Sequence, residues 1–118
     1  MFQSRTDRLF AAFRRTGDPR ALARVFDRAA PELWRVAAFL CRDRHAAEDA
    51  VQSAFLAAIE AQDDWDPTRP VLPWLLGLLA NRVREDRRRR ARQPEPARVA
   101  TPRGEADPAD TVAGRELD

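Results

Sequence analysis

The residues of this chain best suited to chemistry are its arginines. All 21 basic residues are Arg, and seven of them lie between Arg82 and Arg92. Exclusive use of arginine is explained by GC-rich coding and carries no functional weight. The clustering does carry weight, because a compact set of permanently charged guanidinium groups points to a polyanion partner. The formal net charge of +2 conceals it: residues 1–92 hold 18 Arg against 13 acids, whereas residues 93–118 hold 3 Arg against 6. On the segment that carries the cluster, Asn81, Arg84 and Arg88 are spaced three and four residues apart, which places them on one side of a helix. Gly77 falls on the same side one turn earlier. Glycine costs about 1 kcal/mol there relative to Ala, so it marks either drift or a place where something approaches the backbone.

Other chemistries lack their residues. His45 is the only histidine and Cys41 the only thiol, so no metal site is expected, and neither is an internal disulfide. No Gly-rich phosphate loop, nucleophile–base pair or carboxylate dyad in an apolar setting is present. Asp63, Asp64 and Asp66 lack the glycine and terminal glutamate of a calcium loop. The expectation is a non-enzymatic protein without a cofactor. No apolar run approaches the ~20 residues of a membrane span, and no charged, apolar and small-residue leader opens the chain. A cytoplasmic protein with no membrane insertion is therefore expected.

These residues are positioned by helices. In residues 5–15, Leu9, Phe10 and Phe13 have helical spacing, and Gly17 ends the segment. Asp18 and Pro19 form an N-cap and first-turn pair for the next helix, with Leu22, Val25, Phe26 and Ala29 as its apolar stripe. Pro31 is expected to kink or restart the chain before Leu33, Val36, Ala37 and Leu40 continue as another amphipathic helix ending at Cys41, read as buried filler. Asp43 is a plausible cap for a third major helix over 45–62. Its inner face holds Ala47, Val51, Ala54, Phe55 and Ala58; its outer face holds Asp49, Gln52, Ser53, Leu56 and Glu60, a solvated acidic surface apart from one unexplained leucine. Residues 63–70 read as a loop without a regular element. Trp65, an unusual tryptophan in polar surroundings, either folds back as a lid on the core or serves a partner. The last helix spans 71–92, with Pro73 tolerated in its first turn and Leu72, Leu75, Leu76, Leu79 and Val83 on its core face. From residue 93, four prolines, several acids and no apolar period describe a disordered tail. The fold expected is all-α, a compact bundle of four to five helices over residues 1–92.

In order, Gly17-Asp18-Pro19, Phe26, Pro31, Leu33, Ala47-Glu48-Asp49-Ala50-Val51-Gln52, Phe55-Leu56, Asp66-Pro67 to Arg69-Pro70, Trp74-Leu75, Asn81 and the closing arginine run resemble region 2 of the extracytoplasmic-function sigma factors of the sigma-70 family. The resemblance covers roughly residues 4–92. It implies a transcription initiation factor that joins RNA polymerase core and melts the promoter −10 element. The third helix, through Glu48, Asp49, Gln52, Ser53 and Leu56, would dock on the basic coiled coil of the β′ subunit, the clamp helices. The 63–70 loop would hold a flipped base, with Trp65 as a stacking wall and Thr68 or Arg69 as edge donors. Asn81 would read a base of the single-stranded non-template strand through its amide, and Arg84, Arg87 and Arg88 would contact phosphates. Trp74 is assigned mainly to packing between loop and helix. An anti-sigma factor is a further expected partner. Residues 93–118 would be the inter-domain linker towards a second domain, region 4, of which the chain holds none. Leu72, Gly77 and Ala80 stand where the family usually carries basic residues, and Ser53 where an acid is usual. The alternative is a generic arginine-rich helical module that binds nucleic acid through phosphates alone.

Overall fold

A computed structural model describes residues 3–92. Among the described residues, four helices make up the fold: α1 (Arg5–Thr16), α2 (Pro19–Leu40), α3 (Arg44–Glu60) and α4 (Val71–Arg92), with a 3-10 turn at Gln62–Asp64. The all-α bundle expected from the sequence is the fold observed. The tail from residue 93, and the boundary it would draw, lie outside the described residues.

Local chemistry sets the helix ends. Ser4 caps α1 through a reciprocal box with Asp7, satisfying two backbone donors that the first turn leaves free. Gly17 closes α1 at φ 74°, a left-handed conformation that glycine adopts without steric cost. Asp18 caps α2 through the Arg20 N–H, and Asp43 caps α3 through the Ala46 N–H. Helix α4 is capped from a distance: the Val71 N–H donates to Asp7 Oδ1 at 2.8 Å, while Asp7 Oδ2 accepts from the Ser4 N–H at 3.0 Å. One buried carboxylate thus holds the starts of α1 and α4 together.

Two expectations are corrected here. Pro31 does not divide the chain, since α2 runs unbroken through it. Its ring and the preceding turn at Asp27 are exposed, so the carbonyl that loses its N–H partner can be hydrated instead. The stretch after α3 is not wholly irregular either, because Gln62–Asp64 form the 3-10 turn.

The core is one cluster. Phe10 and Phe13 of α1 and Val25, Ala29, Leu33 and Ala37 of α2 meet the small residues Ala47, Ala50, Ala54 and Ala58 of α3. From α4, Val71, Leu75, Leu79 and Val83 are buried. Leu72 and Leu76, expected on that core face, are half-buried at its edge, because the inward direction of α4 follows the 71–75–79–83 row. Phe55 is likewise half-buried; it stacks on Phe26 with ring centroids 4.0 Å apart and closes the seam between α3 and α2.

Candidate functional site

The alanine face of α3 packs inward, so its acidic face looks outward. Asp49, Gln52 and Leu56 are exposed, Glu48 and Ser53 half-buried. Leu56 is 62% exposed, a large apolar side chain left facing solvent among the described residues. Its polar neighbours are lightly held: Glu48 pairs with Arg44 at 3.5 Å, and Asp49 lies 3.6 Å from His45 Nε2. Both are surface contacts of little energetic consequence. The face thus combines acids with an uncommitted apolar side chain, the composition suited to a basic partner with an apolar recess.

The connection from α3 to α4 is drawn inward. Trp65 is only 2% exposed. Its ring meets Phe10 edge-on at 5.4 Å, its Nε1–H donates to the Arg69 carbonyl at 3.0 Å, and the Arg14 guanidinium lies 5.2 Å above it. Arg14 also donates to the carbonyls of Gln62 (3.0 Å) and Trp65 (2.6 Å). The lid alternative therefore describes Trp65, and the stacking wall for a flipped base is corrected: both faces of the indole are taken up by the domain itself. Trp74 packs in the same aromatic group, 5.7 Å from Phe10.

The rim of this connection does face outward. Asp66 Oδ1 accepts from the Thr68 N–H (2.9 Å) and hydroxyl (2.7 Å), and the Arg69 N–H donates to the Asp66 carbonyl (2.9 Å). The two Thr68 bonds, the one from its backbone N–H first and the one from its hydroxyl second, hold the Asp66 carboxyl below the usual carboxylate range. Thr68 and Arg69 are exposed, and the Asp66–Arg69 ion pair at 3.7 Å leaves guanidinium donors open.

On α4 the arginines are not equivalent. Arg82 and Arg89 pair with Asp86. Arg87 donates to the Leu40 carbonyl at 2.6 Å, capping the end of α2. Arg84 donates to the side-chain carbonyl of Asn81, which engages the acceptor end of that exposed amide. Asn81, Arg84 and Arg88 are all exposed on one side. Arg87, expected among the phosphate contacts, has part of its guanidinium tied to the bundle. Sequence reasoning did not pick out Asp7, Arg14 or the tie to Leu40. Ser4-Arg5-Thr6-Asp7 carries a capping-box signature that could have flagged Asp7; the other two depend on tertiary contacts.

Residues 25–93 match the family model Sigma-70 region 2. The chain belongs to the sigma-70 region 2 family. Over 88 residues it is 36% identical to the RNA polymerase sigma factor CnrH of Cupriavidus metallidurans, covering 74% of this chain and 46% of that protein. Over 71 residues it is 32% identical to the RNA polymerase sigma factor CarQ of Myxococcus xanthus, covering 60% of this chain and 41% of that protein. These relatives support the resemblance to extracytoplasmic-function sigma factors. The matched region spans less than half the length of either. No solved structure matches. Within this region 2 domain, no helix among the described residues is long and apolar enough to cross a membrane. No group of three or more His, Cys, Asp or Glu among them is placed to hold a metal ion.

Proposed function

We propose that this domain acts in transcription initiation without covalent chemistry. On this reading, α3 docks on the basic β′ clamp helices of RNA polymerase through Glu48, Asp49, Gln52, Ser53 and Leu56. Helix α4 captures unpaired non-template bases of the −10 element through Asn81, with Arg84 and Arg88 on the flanking phosphates and Thr68 and Arg69 at the loop rim. Melting is then differential binding: an unpaired base can reach the Asn81 amide and a stacked one cannot. An anti-sigma factor would regulate the domain by covering one of these faces.

One observation carries the reading. The acidic face around Leu56 and the Asn81–Arg84–Arg88 face are both exposed, on different helices, so the polymerase and the strand need not compete for one surface. With Trp65 buried, this reading rests base recognition more heavily on Asn81.

The test is binding of the chain to a non-template −10 oligonucleotide in the presence of a β′ clamp-helix fragment. A preference for the single strand over its duplex, lost in Asn81→Ala, is expected. Equal affinity for both forms would defeat the melting role. Unchanged sequence preference in Asn81→Ala, with a steep salt dependence, would instead favour the generic arginine-rich module.

A further inference from the structure

The arginines of α4 divide into those the bundle engages and those it does not. Arg82 and Arg89 pair with Asp86, and Arg87 donates to the Leu40 carbonyl. Arg84, Arg88 and Arg92 are exposed and have no acidic partner among the described residues. At about 100° per residue these three share one arc of the helix with Gly77 and Asn81. The arc lies opposite the buried Val71–Leu75–Leu79–Val83 row. Glu85, exposed and unpaired among the described residues, is the acid of α4 at its edge.

The same chain carries the opposite charge. Residues 81–92 hold seven Arg against Glu85 and Asp86. Residues 104–118 hold five acids, Glu105, Asp107, Asp110, Glu116 and Asp118, against Arg115 alone. Twelve residues, 93–104, connect Arg92 to Glu105. A stretch of that length spans at most about 40 Å, whereas Asn81 lies about 16 Å from Arg92 along the helix axis. The acids can therefore reach every cation of the arc.

We propose that residues 104–118 lie against the Arg84–Arg88–Arg92 arc when no nucleic acid occupies it, and compete with the strand for these cations. The proposal rests on α4 being the strand-binding helix. Ion pairs on an exposed surface are individually weak, so a separate acidic peptide would gain little there. A tethered segment differs, because a short connection holds it at an effective concentration on the order of millimolar. The same weakness keeps the contact displaceable. A strand that also reaches Asn81 with a base gains an interaction the acidic segment lacks, whereas a polyanion bound through phosphates alone does not. The segment thus suppresses sequence-independent binding more than binding that includes the base contact.

The test uses the full chain with a nitroxide attached at Ala113→Cys in a Cys41→Ala background, and records paramagnetic broadening of backbone amides at low ionic strength. Broadening is expected at Arg84 and Arg88, and not at Asp49 or Gln52 on α3. It is lost in Glu105→Gln/Asp107→Asn/Asp110→Asn/Glu116→Gln, and also when a short mixed-sequence single-stranded DNA saturates the chain. By fluorescence anisotropy, the neutralised chain is expected to bind that DNA roughly tenfold tighter than its parent at about 50 mM salt. The gain should fall below about twofold at about 0.5 M, where salt screens the competitor. Tighter binding without broadening in the parent overturns the contact, since net charge alone then explains the gain. Broadening that persists in the neutralised chain overturns it too, because closeness to the end of α4 rather than charge is then its source. Broadening passed from a spin-labelled chain to a separate isotope-labelled one makes the occupant a second copy and overturns the assignment. Failure of both chains to bind DNA sinks the strand-binding reading and the competition with it, even where broadening is seen. Amides left unbroadened in a chain that does bind DNA sink the contact alone.

Discussion

Leu56 on α3 and Trp65 in the following connection are both large apolar side chains in acidic surroundings, and the fold treats them oppositely. Leu56 is 62% exposed and Trp65 2%. The local sequence around each would suit either fate. The difference arises from what stands opposite: the alanine side of α3 turns Leu56 away from the core, while Phe10 and Arg14 of α1 form a recess that the indole fills. An apolar side chain in a polar segment is thus a candidate contact only when no other element of the same chain receives it.

The sharpest way to break that comparison is to truncate both residues and measure stability. Trp65→Ala should cost about 3–5 kcal/mol, as buried Trp-to-Ala changes do, measured as a shift of the urea midpoint. It also frees the Arg69 carbonyl and removes the surface beneath Arg14. Leu56→Ala should shift stability by less than about 0.5 kcal/mol, like other surface changes. A Trp65→Ala protein as stable as its parent would mean that the lid is dispensable and would reopen the stacking role.

Binding should reverse the order. In a pull-down with β′ clamp helices, Leu56→Ala should lose at least about 2 kcal/mol of binding, some thirtyfold in Kd, if Leu56 is the apolar anchor of that surface. Asp49→Ala, a partly exposed charge at the rim, should mainly slow association and flatten the salt dependence. Wild-type affinity in Leu56→Ala would return the outer face of α3 to an ordinary solvated surface.

Asp7 sharpens the comparison from the structural side. Its carboxylate joins the Ser4 and Val71 N–H groups, so Asp7→Ala strands a buried donor at the start of α4 and should cost about 1–3 kcal/mol. Asp7→Asn keeps an acceptor oxygen and should cost less. Because Val71 opens the helix that carries Asn81, the alanine variant should also raise hydrogen exchange across the first turn of α4 more than across α3.

The residues tell unequal amounts about these features. Gly17, Asp18-Pro19 and Asp43 act within a few residues of their positions, so the helix ends they set were legible from the chain alone. The alanine row of α3 is a period of one helix and was equally visible, and it settled the outward direction of Asp49, Gln52 and Leu56. Pro31 misled because its effect depends on whether the freed carbonyl meets water, which is a matter of burial rather than of local sequence. Trp65 left two alternatives open because its partner, Phe10, is 55 residues away. On α4 the arginine run was obvious, but its division into internal ties and open cations was not, since Leu40 and Asp86 decide it.

Gly77 gives the smallest expected effect and the finest discrimination. It is exposed in mid-helix on the Asn81 side, and a Cβ built there meets nothing within 4 Å. The domain itself therefore gains nothing from the missing side chain. Gly77→Ala should stabilise the fold by about 1 kcal/mol through helix propensity alone, raising Tm by about 4–8 °C for a domain of this size. Clamp-helix affinity should be unchanged, because α3 carries that surface. Affinity for the single-stranded oligonucleotide separates the two meanings of this glycine. If it is drift, the more stable variant binds as well as the parent. If the strand lies against the α4 backbone one turn before Asn81, the added methyl holds it off and affinity falls although the fold has become more stable, a combination that a purely structural role does not produce.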